Sequence, residues 1–142
     1  MATKPKVYIT RRIPQAGIDL LKQKYEVEVN PHDRVLSREE LLTAVLVAAD
    51  GVLCLLTDKI DGDFFDSAPK LRGVANYAVG YDNIDVPEAT SRKIPVSNTP
   101  GVLTDATAEM AWALLFAVAR RVVESDGRPA PQENGADGGR CS

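Results

Sequence analysis

Five times between Lys6 and Glu124 a short run of strand-forming side chains gives way to a helical stretch, with few residues in between. Parallel strands need crossovers, and a helix is the usual crossover, so this alternation leaves little choice of architecture. It predicts an α/β domain with an open, five-stranded, mostly parallel sheet and helices on both faces. The strands are expected at Lys6–Thr10, Tyr25–Val29, Gly51–Leu56, Leu71–Ala78 and Ile94–Asn98. The apolar run Gly51–Leu56 suits a strand covered on both sides. Tyr25–Val29 alternates Tyr25, Val27 and Val29 with Glu26 and Glu28, as a half-buried edge strand does.

The helices carry their own punctuation. Pro14 suits a first turn, with Ile18, Leu20 and Leu21 read as one apolar face. Ser37-Arg38-Glu39-Glu40 has the form of a capping box, opening a helix through about Ala48. Asp61–Ala68 reads as a short helix closed by Pro69. Asp85 is a candidate cap ahead of Pro87 and Glu88. Thr104 is read as the cap of a last helix reaching about Glu124. In sheets of this kind ligands gather at the carboxyl ends of the strands. Here those ends are Thr10-Arg11-Arg12, Leu56-Thr57-Asp58, Val79-Gly80-Tyr81 and Asn98-Thr99-Pro100.

Composition narrows the possible partners. Of 142 residues 44% are hydrophobic and 26% charged, and the formal net charge is -3 with both signs interspersed. Nothing in that balance attracts nucleic acid or an anionic membrane. Two cysteines, Cys54 in an apolar run and Cys141, give no disulfide framework, so a reducing compartment is expected. No apolar signal region precedes the first strand. The continuous apolar run from Met110 to Ala119 is half of a membrane span. These features predict a soluble, cytoplasmic protein without a metal site.

Met110–Ala119 contains no polar residue, so no face of that helix suits water. It is expected to be covered by another domain or by a second copy of the chain; the plainer alternative is a central helix buried within this one domain. Residues 127–142 contain four of the ten glycines and no Val, Leu, Ile or aromatic residue, and are expected to be a disordered tail. The change at Asp126 is abrupt, as at a premature end or a shifted reading frame.

Asn76-Tyr77-Ala78-Val79-Gly80-Tyr81-Asp82-Asn83-Ile84-Asp85, followed by Asn98-Thr99-Pro100-Gly101-Val102-Leu103-Thr104-Asp105-Ala106-Thr107-Ala108-Glu109, resembles the D-isomer-specific 2-hydroxyacid dehydrogenases. Within them the chain is most similar to the glyoxylate/hydroxypyruvate reductases, an impression strengthened by Val7–Pro14. The likeness runs from about Lys4 to Asp126. It implies that residues 1–103 belong to a flavodoxin-like substrate-binding domain and that 104–126 form an inter-domain helix that protrudes toward a nucleotide-binding domain.

The resemblance further implies that the backbone amides of Val79 and Gly80 hold the carboxylate of a small 2-oxo acid. Glycine permits a positive φ and close approach, so successive N–H groups can face one anion. The plainer alternative is that Gly80 only turns the chain, with Asp82 and Asn83 as local caps. Thr104 is implied as a donor to cofactor phosphates at a helix N-terminus, or else it is an ordinary cap. Leu56 and Thr57 are read as lining the substrate pocket, or as plain strand-end residues. Arg11 and Arg12 could draw anionic substrate in, but read better as solvated charges.

Hydride transfer needs a bound nicotinamide, a group polarising the carbonyl and a proton donor. In the family these come with a GxGxxG turn, a catalytic arginine and a histidine oriented by a carboxylate. None is found here. Gly135, Gly138 and Gly139 have the wrong spacing, and His32, the single histidine, sits in a polar loop. No catalytic residue is therefore assigned. The first expectation is part of an NAD(P)-dependent 2-oxo-acid reductase, with no nucleotide-binding domain, inactive as this chain and not binding NAD or NADP alone. The second is a non-catalytic module that binds small carboxylates or docks through Met110–Ala119. A phospho-receiver domain of the same topology is disfavoured, since it needs acidic residues where Arg11 and Arg12 stand.

Overall fold

The computed structural model describes residues 4–48 and 50–127. Cys141, the three late glycines and residues 128–142 of the expected tail lie outside them. The chain divides between Val102 and Leu103 into two compact units.

The first unit holds strands β1 (Lys6–Ile9), β2 (Glu26–Val29), β3 (Gly51–Cys54), β4 (Gly73–Asn76) and β5 (Val96–Ser97). All pairings are parallel, in the order β2-β1-β3-β4-β5. The strands are shorter than the sequence suggests. β5 starts only after Pro95, which has no N–H to give to a ladder, although its carbonyl accepts from Val74. As its alternation predicts, β2 is an edge strand, with both glutamates exposed and both valines half-buried.

Helices α1 (Gln15–Lys22), α2 (Arg38–Ala48), α3 (Gly62–Ser67) and α4 (Val86–Ser91) are the crossovers. The main core joins Leu41 and Val45 of α2, Phe64 and Phe65 of α3 and Ala89 of α4 to Tyr8, Val52, Cys54 and Val74 of the sheet. On the other face Ile18 of α1 packs with Ile9 and Ile13, flanked by Leu21, Val27 and Leu53. Two readings need correction. Leu20 is 66% exposed, because Ile18 and Leu21 already share the inward face at i,i+3 spacing. Gly51 and Leu53 are half-buried where Val52 and Cys54 are buried. The short α1 leaves a groove of about 550 Å³ beside them, lined also by Val7, Ala75 and Val96.

Local caps fall where the sequence places them. Ser37 Oγ accepts from the Glu40 N–H at 3.3 Å, and Glu40 Oε2 accepts from the Ser37 N–H at 2.8 Å. Arg34 and the Ser37 N–H hold the Glu40 carboxyl down to about 2. A folded value below the ordinary one means that this support is complete above the ordinary carboxylate range and fades as pH falls toward 2. Replacing Ser37 by alanine is expected to cost about 1 kcal/mol, read from denaturant midpoints. No change in midpoint would contradict the capping role. Asp61 caps α3 through the Phe64 N–H, and Asp85 caps α4 through the Glu88 N–H.

The second unit contains α5 (Thr104–Ala119) and α6 (Val122–Asp126). The single last helix expected from the sequence is broken at Arg121, which takes a left-handed backbone with φ 54°. Leu103, not Thr104, occupies the N-cap of α5, with no side-chain cap bond. The helix has no buried residue, and Met110, Trp112, Leu114, Leu115 and Phe116 stand exposed. Trp112 and Phe116, one turn apart, stack with ring centres 5.8 Å apart. No helix among the described residues is long and apolar enough to cross a membrane.

Candidate functional site

The parallel ladder puts the ends of β1, β3 and β4 side by side, so the loops leaving them meet at one edge of the sheet. The Tyr77 N–H donates to the Cys54 carbonyl at 2.8 Å, and the Thr10 N–H donates to the Leu53 carbonyl at 3.0 Å. Behind these backbone bonds lies a buried polar cluster. Asp58, only 4% exposed, accepts with one oxygen from the Thr10 hydroxyl at 2.6 Å and from the Leu55 N–H at 2.9 Å. Asn83 donates to the carbonyls of Leu55 (3.0 Å) and Asp58 (2.9 Å). The segment before Thr57 is thereby tied to the segment after Gly80.

Three successive carbonyls of the β4 loop are held. Ala78 O accepts from the Thr99 N–H at 2.9 Å. Val79 O accepts from Asn98 Nδ2 at 2.8 Å, and Gly80 O accepts from Asn76 Nδ2 at 2.8 Å. Because a trans peptide is planar, holding a carbonyl also fixes the direction of the N–H that follows it. Among the described residues the N–H groups of Val79 and Gly80 donate to no protein atom. Two adjacent amides are thus oriented and left available. An anion reaching them would accept charge-assisted hydrogen bonds.

Leu56 comes to the same place. Its Cδ2 lies 3.7 Å from where a Cβ on Gly80 would stand, an ordinary contact, and its side chain is exposed. Gly80 does not use the positive φ that glycine permits; among the described residues that conformation falls at Gly101, Lys93 and Arg121. The turn therefore takes its shape from the held carbonyls rather than from left-handed glycine. Thr57 lines a polar recess of about 370 Å³ with Leu36, Arg38 and Asp58. Arg11 pairs with Asp33 at 3.3 Å, as a solvated charge pair does. Asn83 is no local cap, because its side-chain bonds reach 25 and 28 residues back.

Cys54 is fully buried, and burial, aided by the Asp58 carboxylate, pushes its thiol up to about 12. It stays protonated at neutral pH and is no nucleophile. Thr104 belongs to the second unit, in the first turn of α5 beside Asp105. The hydroxyl and first-turn amides suit a single anion, but the Asp105 carboxylate opposes one. No further dinucleotide cradle is present among the described residues, and these residues do not fit a whole NAD or NADP.

Asp58, Asn76 and Asn98 were not singled out by sequence reasoning. The available signal was an amide or carboxylate at or just beyond a strand end, where a side chain can reach the next loop.

The model of the D-isomer specific 2-hydroxyacid dehydrogenase catalytic domain matches residues 7–125. A glyoxylate reductase from Thermococcus gammatolerans is 58% identical over 123 residues, which cover 87% of this chain and 36% of the relative. One from Thermococcus kodakarensis is also 58% identical over 123 residues, covering 37% of its length. This chain thus spans little more than a third of such relatives. Among solved structures, the TT0316 protein from Thermus thermophilus superposes with a TM-score of 0.79 at 41% identity, over 90% of this chain and 43% of that one. An NADPH-dependent glyoxylate/hydroxypyruvate reductase from Sinorhizobium meliloti, in complex with NADP and malonate, gives a TM-score of 0.60 at 28% identity, over 81% of this chain and 34% of that one.

Proposed function

The chain belongs to the D-isomer specific 2-hydroxyacid dehydrogenase family, and we propose that its first unit is the part of such an enzyme that receives a small 2-oxo acid. One observation carries this reading: the adjacent N–H groups of Val79 and Gly80 are unused while the carbonyls around them are held. A carboxylate is the group on a 2-oxo acid that two parallel amide donors recognise. The names of the reductases above support glyoxylate or hydroxypyruvate as the substrate class, and the malonate complex supports a small carboxylate.

In this reading residues 1–103 are the substrate-binding domain, Leu56 and Thr57 line its pocket, and 104–126 lead toward a nucleotide-binding domain. In a whole enzyme of this family NADH or NADPH would supply the hydride, and Thr104 would stand near its phosphates. The 142-residue chain alone is expected to bind glyoxylate weakly, on the order of millimolar, from two charge-assisted bonds offset by lost freedom. It is expected to oxidise neither NADH nor NADPH with glyoxylate or hydroxypyruvate, because none of its residues takes the roles of the arginine and histidine the family requires. Calorimetry and nicotinamide absorbance check the two expectations. Clear turnover would overturn the second, and absent binding the first.

Met110–Ala119 is the surface we assign to association with a second copy, because an exposed apolar helix of this size favours contact over water. Sedimentation is expected to show mass rising with concentration, and a strict monomer at all concentrations contradicts it.

A further inference from the structure

We propose that Asn76 and Asn83 are positioning residues that stop the Gly80–Tyr81 peptide from flipping and so keep a carbonyl oxygen out of the anion's place. The inference rests on the carboxylate reading above but concerns different atoms. A glycine offers the least steric resistance to rotation of its flanking peptide planes. If the Gly80–Tyr81 plane turned over, the Gly80 oxygen would take the direction now held by the Tyr81 N–H, next along the chain from the two free amides, and would bring a partial negative charge beside the carboxylate. Asn76 Nδ2 prevents this by holding Gly80 O at 2.8 Å.

Asn76 cannot swing away, because every polar atom of its amide is engaged. Its Nδ2 also donates to Asn83 Oδ1 at 3.1 Å, and its Oδ1 accepts from the Cys54 thiol at 3.4 Å. It is 2% exposed, so lost bonds would not be replaced by water. Asn83 is anchored in turn. Its amide nitrogen donates to Leu55 O and Asp58 O, and its own carbonyl accepts from the Ile60 N–H at 2.9 Å. The chain of bonds runs from the β3 loop through both asparagines to the one peptide that a glycine leaves free to turn.

Two variants test this in the full chain. Asn76→Asp keeps the side chain's size and removes the donor to Gly80 O. Asn83→Asp keeps the acceptor for Asn76, removes both donations to the β3 loop, and sits at a half-buried position where folding is safer. Ile18→Val, in the second core, is the stability control. Conformational exchange of the backbone amides is measured without ligand by NMR relaxation dispersion, and glyoxylate affinity by amide shifts. For both asparagine variants the expected result is new microsecond-to-millisecond exchange broadening confined to residues 79–82 and affinity weaker by about tenfold. The control is expected to melt earlier and change neither readout. Unchanged exchange at Gly80 and Tyr81 in Asn83→Asp overturns the proposal whatever the affinity. If wild type shows no glyoxylate response, the carboxylate reading fails, and the exchange data alone decide whether the asparagines hold the peptide.

Discussion

Replacing Phe64 by alanine is expected to cost about 3–5 kcal/mol, a large part of the roughly 5–15 kcal/mol that holds a domain folded. Phe64 has no exposed surface and lies in the main core between α2, α3 and the sheet. Its ring meets that of Phe65 edge-on, with centres 5.8 Å apart and planes at 84°. Truncation removes the buried ring and leaves a cavity that caps and strands on every side prevent from closing. For a first unit of this size the melting midpoint should fall by about 12 °C or more. A loss below about 1 kcal/mol would mean that α3 is not seated on the sheet as described.

Asp58→Ala is expected to cost about 2–5 kcal/mol, although it removes only a small polar group. The carboxylate accepts from the Thr10 hydroxyl and the Leu55 N–H; with it gone the half-buried Leu55 N–H loses its partner, and the Thr10 hydroxyl keeps only the long bond to the Leu53 carbonyl at 3.4 Å. The orphaned N–H costs about 1–3 kcal/mol, and the weakened hydroxyl bond and the vacated space add to it. Asp58→Asn separates charge from hydrogen bonding. Both donors use one oxygen, which the asparagine carbonyl can replace, so the expected cost is about 1 kcal/mol. Urea unfolding of the two variants checks the contrast, and equal losses would show that the negative charge itself is what matters.

What could be read from the sequence was local. The Ser37–Glu40 box and the Asp61 and Asp85 caps each join residues three apart, so the residue types alone reveal them. The parallel sheet followed from alternation, because short crossovers between parallel strands permit few topologies. The family motif named Val79 and Gly80, and Leu56 and Thr57 were named at the end of the strand beginning at Gly51. What could not be read is the bonding that shapes the turn. Thr10 and Asp58 are 48 positions apart, and Asn98 and Val79 are 19 apart. Only the sheet register brings such pairs together, and register is not a local property. The freedom of a glycine offered a local explanation of a shape that distant side chains impose. The break at Arg121 had no forewarning in proline or glycine.

The account stands on two backbone N–H groups being free to meet a carboxylate. An amide-resolved NMR titration of the chain with glyoxylate reads them directly. The expected result is saturable shifts largest at Val79 and Gly80, with the same curve for both. Shifts that begin elsewhere and leave these two amides unmoved at saturation would contradict it.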